Sequence, residues 1–94
     1  MHVVIFALDK ADALPLRLQH YEAHKAYLAS APVKMVISGP LLGADGSTMI
    51  GSMFLLETTD LDEAVSFNRA DPFHAAGLWE RVEIRPFLKR VDNR

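Results

Sequence analysis

Apolar residues run without interruption from Val3 to Leu8 and again from Met53 to Leu56, whereas elsewhere in the chain they are spaced or mixed with charge. Short unbroken runs of β-favouring residues read as strands buried on both faces. The first run, Val3 to Leu8, is strand one, and Asp9-Lys10-Ala11-Asp12 turns the chain after it. From Leu14 to Ala31 the residues Leu14, Leu18, Tyr21 and Leu28 recur at helical spacing. This predicts a helix with Asp12 as its cap and Pro15 tolerated in its first turn, ending before Pro32. Val33 to Ser38 is a second strand that stops at Gly39-Pro40, and Asp45-Gly46 marks a hairpin turn before a third strand, Met49 to Glu57. Thr59 or Asp60 caps a short helix carrying Leu61, Ala64, Val65 and Phe67. That helix must stop at Ala70-Asp71-Pro72, where Asp71 suits an N-cap, Pro72 the first helical position of a new short segment, and Gly77 the left-handed residue that closes it. A last strand runs from Trp79 to about Leu88.

The order β-α-β-β-α-β over residues 1–94, with no repeat or long linker, is that of one α+β domain, a ferredoxin-like sandwich. In that topology strands one and three lie in the middle of the sheet, in agreement with their consecutive apolar residues. Strands two and four carry Lys34, Ser38, Arg81, Glu83 and Arg85, and Pro86 removes a ladder donor, so they belong at the edges. Two helices cover one face of a four-stranded sheet. The central strands read as apolar on both faces, and the segment after Leu88 is too short to cover the second. A homodimer, sheet against sheet, is therefore expected, burying on the order of 1,200–2,000 Å².

Composition narrows the function classes. Half of the 94 residues are hydrophobic and the formal charge is −2, which suits one small globular domain and, without a Lys/Arg run, speaks against nucleic acid as a partner. There is no cysteine, hence no disulfide framework and no thiol nucleophile; this leans towards a cytoplasmic setting. The apolar start is too short to span a membrane and lacks the flanks of a signal peptide.

The residues able to carry chemistry are few. At about 100° per residue His24 lies about 80° round the helix from Leu14, on the shoulder of the apolar stripe, half wet. A shoulder histidine can present one ring nitrogen to a pocket while a partner orients the other, which is what a general base needs, or it can simply be hydrogen-bonded into place. His20 and His24 stand at i and i+4, yet Glu22 is two positions after the first histidine rather than directly after it, so the metalloprotease pattern fails and no metal is assigned. Asp71 is explained by capping alone, or it also orients and charges the His24 imidazole. Arg17 either clamps a substrate carboxylate or snorkels over the core edge. Ser38 is a possible oxygen donor to a ligand, His74 a loop residue near the site, and Tyr27, Phe73 and Trp79 suit a core or an interface better than a ligand platform.

The opening strand Val3-Val4-Ile5-Phe6-Ala7 together with Arg17-Leu18, Ala23-His24, Ser38-Gly39-Pro40, Gly51-Ser52, Ala70-Asp71-Pro72-Phe73 and Arg85-Pro86-Phe87 resembles the YCII-related family. The resemblance implies a dimeric α+β barrel, similar to muconolactone isomerase, with His24 and Asp71 as the catalytic pair. It also implies proton-abstraction chemistry of dehydrochlorinase type without a cofactor; Arg17, Tyr21, Ser38, Phe73 and His74 are the candidates to surround a small-molecule ligand. Family members often carry arginine three residues before the histidine; Tyr21 stands there in this chain and can supply a hydroxyl instead. Two functions follow: a small cofactor-independent lyase or isomerase, or a non-catalytic dimer that binds a small molecule in the same pocket.

Overall fold

The alternation of Val3, Ile5 and Ala7 with Val4, Phe6 and Leu8 is the axis on which the fold is built. In the computed structural model, which describes residues 1–94, the three odd-numbered residues are buried towards the helices. They belong to β1 (His2–Asp9), followed by α1 (Leu14–Ala29), β2 (Lys34–Leu42), β3 (Met49–Glu57), α2 (Leu61–Arg69), α3 (Pro72–Ala75) and β4 (Trp79–Phe87). The strands form one sheet in the order β2-β3-β1-β4, antiparallel throughout, with Ile5 opposite both Phe54 and Ile84. The two apolar runs are central and the charged strands lie at the edges, the ferredoxin-like arrangement. No helix is long and apolar enough to cross a membrane.

The apolar core lies between the sheet and α2: Val3, Ile5, Phe54 and Leu56 from the strands, Ala64 and Phe67 from the helix. Local chemistry fixes the α2 start, because the Asp60 carboxylate accepts from the Glu63 N–H at 2.9 Å while the Glu63 carboxylate accepts from the Thr59 N–H at 3.0 Å, a reciprocal cap. The Asp-Gly turn is equally local: Gly46 has φ 72°, and Asp45 accepts from the N–H groups of Ser47 and Thr48.

Four expectations need correction. β2 does not stop at Gly39-Pro40 but continues to Leu42; on an edge strand, proline at a position whose N–H would face outwards removes no ladder bond. α1 ends two residues earlier than its apolar spacing suggested, and Asp12 does not cap it: Asp12 is left-handed at φ 55° and Ala13 stands at the cap without a side-chain bond. Leu18, assigned to the apolar stripe, is 53% exposed, and the fully buried side chains of α1 are Arg17 and His24. The helix is thus turned so that its polar pair faces inwards. Finally, the segment after Leu88 does reach the outer sheet face, where Val91 and Arg94 line a cleft with Ile37 and Leu55. Its coverage is partial, and Phe6 on that face is 40% exposed.

Candidate active site

Arg17 and His24 are seven residues apart on α1, two helical turns, so both project from the same side of the helix. What each meets is set by a different element. The Asp71-Pro72 corner, which ends α2 and starts α3, brings a carboxylate under His24: Nδ1 lies 2.9 Å from Asp71 Oδ1 and 2.8 Å from Oδ2. The same carboxylate caps α3 by accepting the Phe73 N–H at 2.9 Å. The capping and orienting roles of Asp71 are therefore not alternatives, since one buried carboxylate does both. Gly77, at φ 70°, closes this corner as its sequence position suggested.

An ionised carboxylate only accepts hydrogen bonds, so the proton belongs on His24 Nδ1 and the lone pair of the neutral ring on Nε2. Nε2 makes no hydrogen bond within the chain, and it is not among the fully enclosed unpartnered polar atoms, which are Asn68 Nδ2 and Trp79 Nε1. The ring is clamped by aromatic side chains: Phe73 stacks on it with centroids 4.0 Å apart and planes at 15°, and Phe54 meets it edge-on at 6.2 Å. His24 is 5% exposed, more buried than its shoulder position implied. A histidine so enclosed keeps one orientation, with one nitrogen tied and one free.

One edge of the Arg17 guanidinium is already held within the chain, and Arg17 does not snorkel over the core edge. It is 1% exposed, with Nε donating to Asp9 Oδ2 at 2.7 Å and Nη2 to Asp9 Oδ1 at 3.0 Å and Ser52 Oγ at 2.8 Å. Its guanidinium carbon also sits 4.7 Å from the centroid of the Phe73 ring, so Phe73 touches both inward-facing polar residues of α1. Asp9 and Ser52 were not assigned roles from sequence. Asp9 looked like one of four turn residues, and its i, i+8 relation to Arg17 has no periodic signature; only the need of a buried guanidinium for a carboxylate points to it.

Between α1 and the β2–β3 edge these side chains border a cavity of about 230 Å³, with Arg17, Tyr21, His24, Ser38, Ser52 and Phe54 in its wall. The structure thus brings Tyr21 and Ser38 to the same cavity as His24 and Arg17. Phe73 lies behind the imidazole, outside the lining, and His74 is on the exposed side of α3. Tyr27 packs against Phe67 and donates its hydroxyl to the Phe67 carbonyl at 2.7 Å. Burial first, and then the Asp71 charge, push its phenol above the ordinary value, so it serves as a neutral structural donor. No cluster of three or more His, Cys, Asp or Glu side chains is placed to hold a metal ion.

A model of the YCII-related domain matches residues 1–88. The chain belongs to the YCII-related family. A protein YciI from Escherichia coli O6:H1 is 35% identical over 96 aligned positions, covering 95% of this chain and 98% of that one. An uncharacterised protein of Haemophilus influenzae is 30% identical over the same coverage. Among solved structures, the 5-chloro-2-hydroxyhydroquinone dehydrochlorinase TftG of Burkholderia phenoliruptrix, in complex with 2,5-dihydroxybenzoquinone, is similar at TM-score 0.86 and 35% identity, with 94% of each chain covered. A more distant likeness, TM-score 0.54 at 11% identity over 94% of this chain and 98% of the other, is to an antibiotic biosynthesis monooxygenase and concerns the fold alone. The YCII-related relatives thus share the whole length of the domain, including the stretches that carry His24 and Asp71.

Proposed function

We infer that this YCII-related protein is a small enzyme of lyase or isomerase type, working without a cofactor on a small organic substrate. His24 Nε2 takes a proton from the substrate, and Asp71 holds the ring and stabilises the imidazolium that forms. In a dehydrochlorination of this kind the proton goes to Nε2, the electron pair it leaves forms the new double bond, and chloride departs. In an isomerisation the same proton returns at another carbon. The observation that carries the reading is the divided imidazole, with Nδ1 on a buried carboxylate and Nε2 beside a cavity walled by Tyr21, Ser38 and Phe54. The likeness to TftG, a dehydrochlorinase seen with a dihydroxybenzoquinone, supports both the reaction class and the size of the substrate. Tyr21 and Ser38 contribute hydroxyls to the cavity wall, and Phe73 fixes the plane of the ring. The same reading includes a homodimer through the outer sheet face, where Phe6 and Ile37 are 40% and 45% exposed; light scattering at micromolar concentration should give twice the chain mass.

The test is a substrate screen read by mass spectrometry, on wild type beside His24→Ala, with hydroxylated and chlorinated hydroquinones among the compounds. Conversion by wild type that disappears in the variant supports the enzyme. Compounds that bind to both proteins and are converted by neither would instead favour a non-catalytic ligand-binding domain.

A further inference from the structure

A guanidinium carries five N–H donors, and Arg17 spends three of them: one from Nε and one from Nη2 on Asp9, the second of Nη2 on Ser52. The two left are both on Nη1. That nitrogen has no partner in the chain, yet it is not among the fully enclosed unpartnered atoms, and the open space beside Arg17 is the cavity. Ser52 Oγ, 2.8 Å from Arg17, accepts from it and donates to nothing in the chain, so its hydroxyl proton is uncommitted as well. Both groups are almost completely buried, Arg17 at 1% and Ser52 at 2% exposure. Their free hydrogen-bonding positions open onto the cavity, where water or a ligand that enters meets them.

The charge pattern says what that something is. The cavity wall holds Arg17, Lys25 and His24 and no carboxylate; Asp9 grips the opposite edge of the guanidinium. The Asp9–Arg17 pair is therefore a fixed dipole whose positive end faces the cavity. Lys25 is a different kind of cation. Its side chain is 50% exposed, paired with Glu22 at 2.9 Å and resting over the Tyr21 ring, a solvated rim charge rather than a buried donor.

We propose that Arg17 Nη1 and Ser52 Oγ form the seat of a negatively charged oxygen, so that the cavity selects small molecules bearing a carboxylate, phenolate or enolate. Asp9 is the positioning residue that leaves Nη1 alone facing the ligand. This rests on the cavity being the ligand site, but not on proton transfer by His24, so it can hold even if the chain turns nothing over.

Benzoate and benzamide share size and ring and differ in the anionic oxygen. NMR titration of the labelled full-length protein should show benzoate binding about tenfold more tightly, the scale of one charge-assisted hydrogen bond, with the Arg17 side-chain N–H and Ser52 signals moving most. The preference should persist in Lys25→Ala and fall to within about twofold in Arg17→Lys, which keeps the charge but loses the fork. Equal affinity of wild type for the two probes, no detectable binding of either, or shifts that bypass Arg17 and Ser52 would each overturn the proposal, and these readings need no variant to fold. A preference lost with Lys25 and retained with Arg17→Lys would overturn it too.

Discussion

The helical side of the sheet is covered by two layers of opposite character. Beneath α2 the contact is apolar, Val3, Ile5, Phe54 and Leu56 against Ala64 and Phe67. Beneath α1 and α3 the inward polar side chains are Arg17, hydrogen-bonded to Asp9 and Ser52, and His24, hydrogen-bonded to Asp71. The first layer is held by burial of apolar surface. The second is held by the Arg17–Asp9 ion pair and the His24–Asp71 hydrogen bond, which fix α1 in rotation, and it borders the cavity. Both layers hold the fold, by different forces, and only the polar one borders the cavity; Phe54 reaches into both through its edge contacts to Phe67 and His24.

The comparison is broken most severely by removing one partner of a buried pair. Arg17→Met leaves Asp9 as an uncompensated buried charge, and chemical denaturation should show a loss of about 3–5 kcal/mol. Phe67→Ala in the apolar layer should lose a similar amount, about 3–5 kcal/mol, from cavity formation. The two layers separate in the second step: adding Asp9→Leu to Arg17→Met should recover a large part of the loss, because no charge is left unpaired, whereas no second deletion beside Phe67 restores its packing. If the Asp9 substitution deepens the loss instead, the polar layer is not held in the way described.

The proposed proton transfer gives the next effect. For any substrate the protein converts, Asp71→Asn should lower the rate by about 10³–10⁴, because an amide that donates its N–H favours the wrong imidazole tautomer. Since Asp71 also caps α3, the measurement must be kcat on folded protein, with circular dichroism confirming the fold. Leu18→Gln, on the exposed side of α1, should change stability by no more than about 0.5 kcal/mol in either direction. A larger loss would mean that the stripe suggested by Leu14, Leu18, Tyr21 and Leu28 is the buried one after all.

Why that stripe misled is physical. Helical spacing of apolar residues predicts rotation only when apolar burial decides it. In α1 the competing side is decided by partners that lie far away in sequence, Asp9 on β1 and Asp71 at the α3 corner, and no local pattern announces them. The strand assignments were legible for the opposite reason: a central strand of this sheet is apolar at consecutive positions, and that is a local property of Val3-Val4-Ile5-Phe6 and Met53-Phe54-Leu55-Leu56. The Asp71-Pro72 corner and Gly77 were legible because capping and left-handed backbone select residue types directly. The continuation of β2 through Pro40 and the path of the tail over Leu55 were not, since each depends on which side of an edge strand or sheet face is open.

A small effect outside both layers is expected at the β2–β3 turn. The Thr48 hydroxyl first, and then the Ser47 and Thr48 backbone N–H groups, hold the Asp45 carboxyl down at about 2. A depressed carboxyl contributes its order above the ordinary value and loses it as the pH falls through the folded one. The Thr48 amide signal should therefore stay at its native position down to about pH 3 and move only as the pH falls through about 2; a midpoint near the ordinary aspartate value of about 3.9 would remove these hydrogen bonds from the account.

In the proposed enzyme His24 is held with Nδ1 on Asp71 and Nε2 free for a substrate proton. Side-chain ¹⁵N NMR of His24, recorded at a pH where its imidazole is neutral, tests this most directly because it reports which ring nitrogen carries the proton. The expected result is a protonated Nδ1 and a lone-pair Nε2, with the opposite or a mixed tautomer in Asp71→Asn. A wild-type ring protonated at Nε2, with a bare Nδ1, would contradict it.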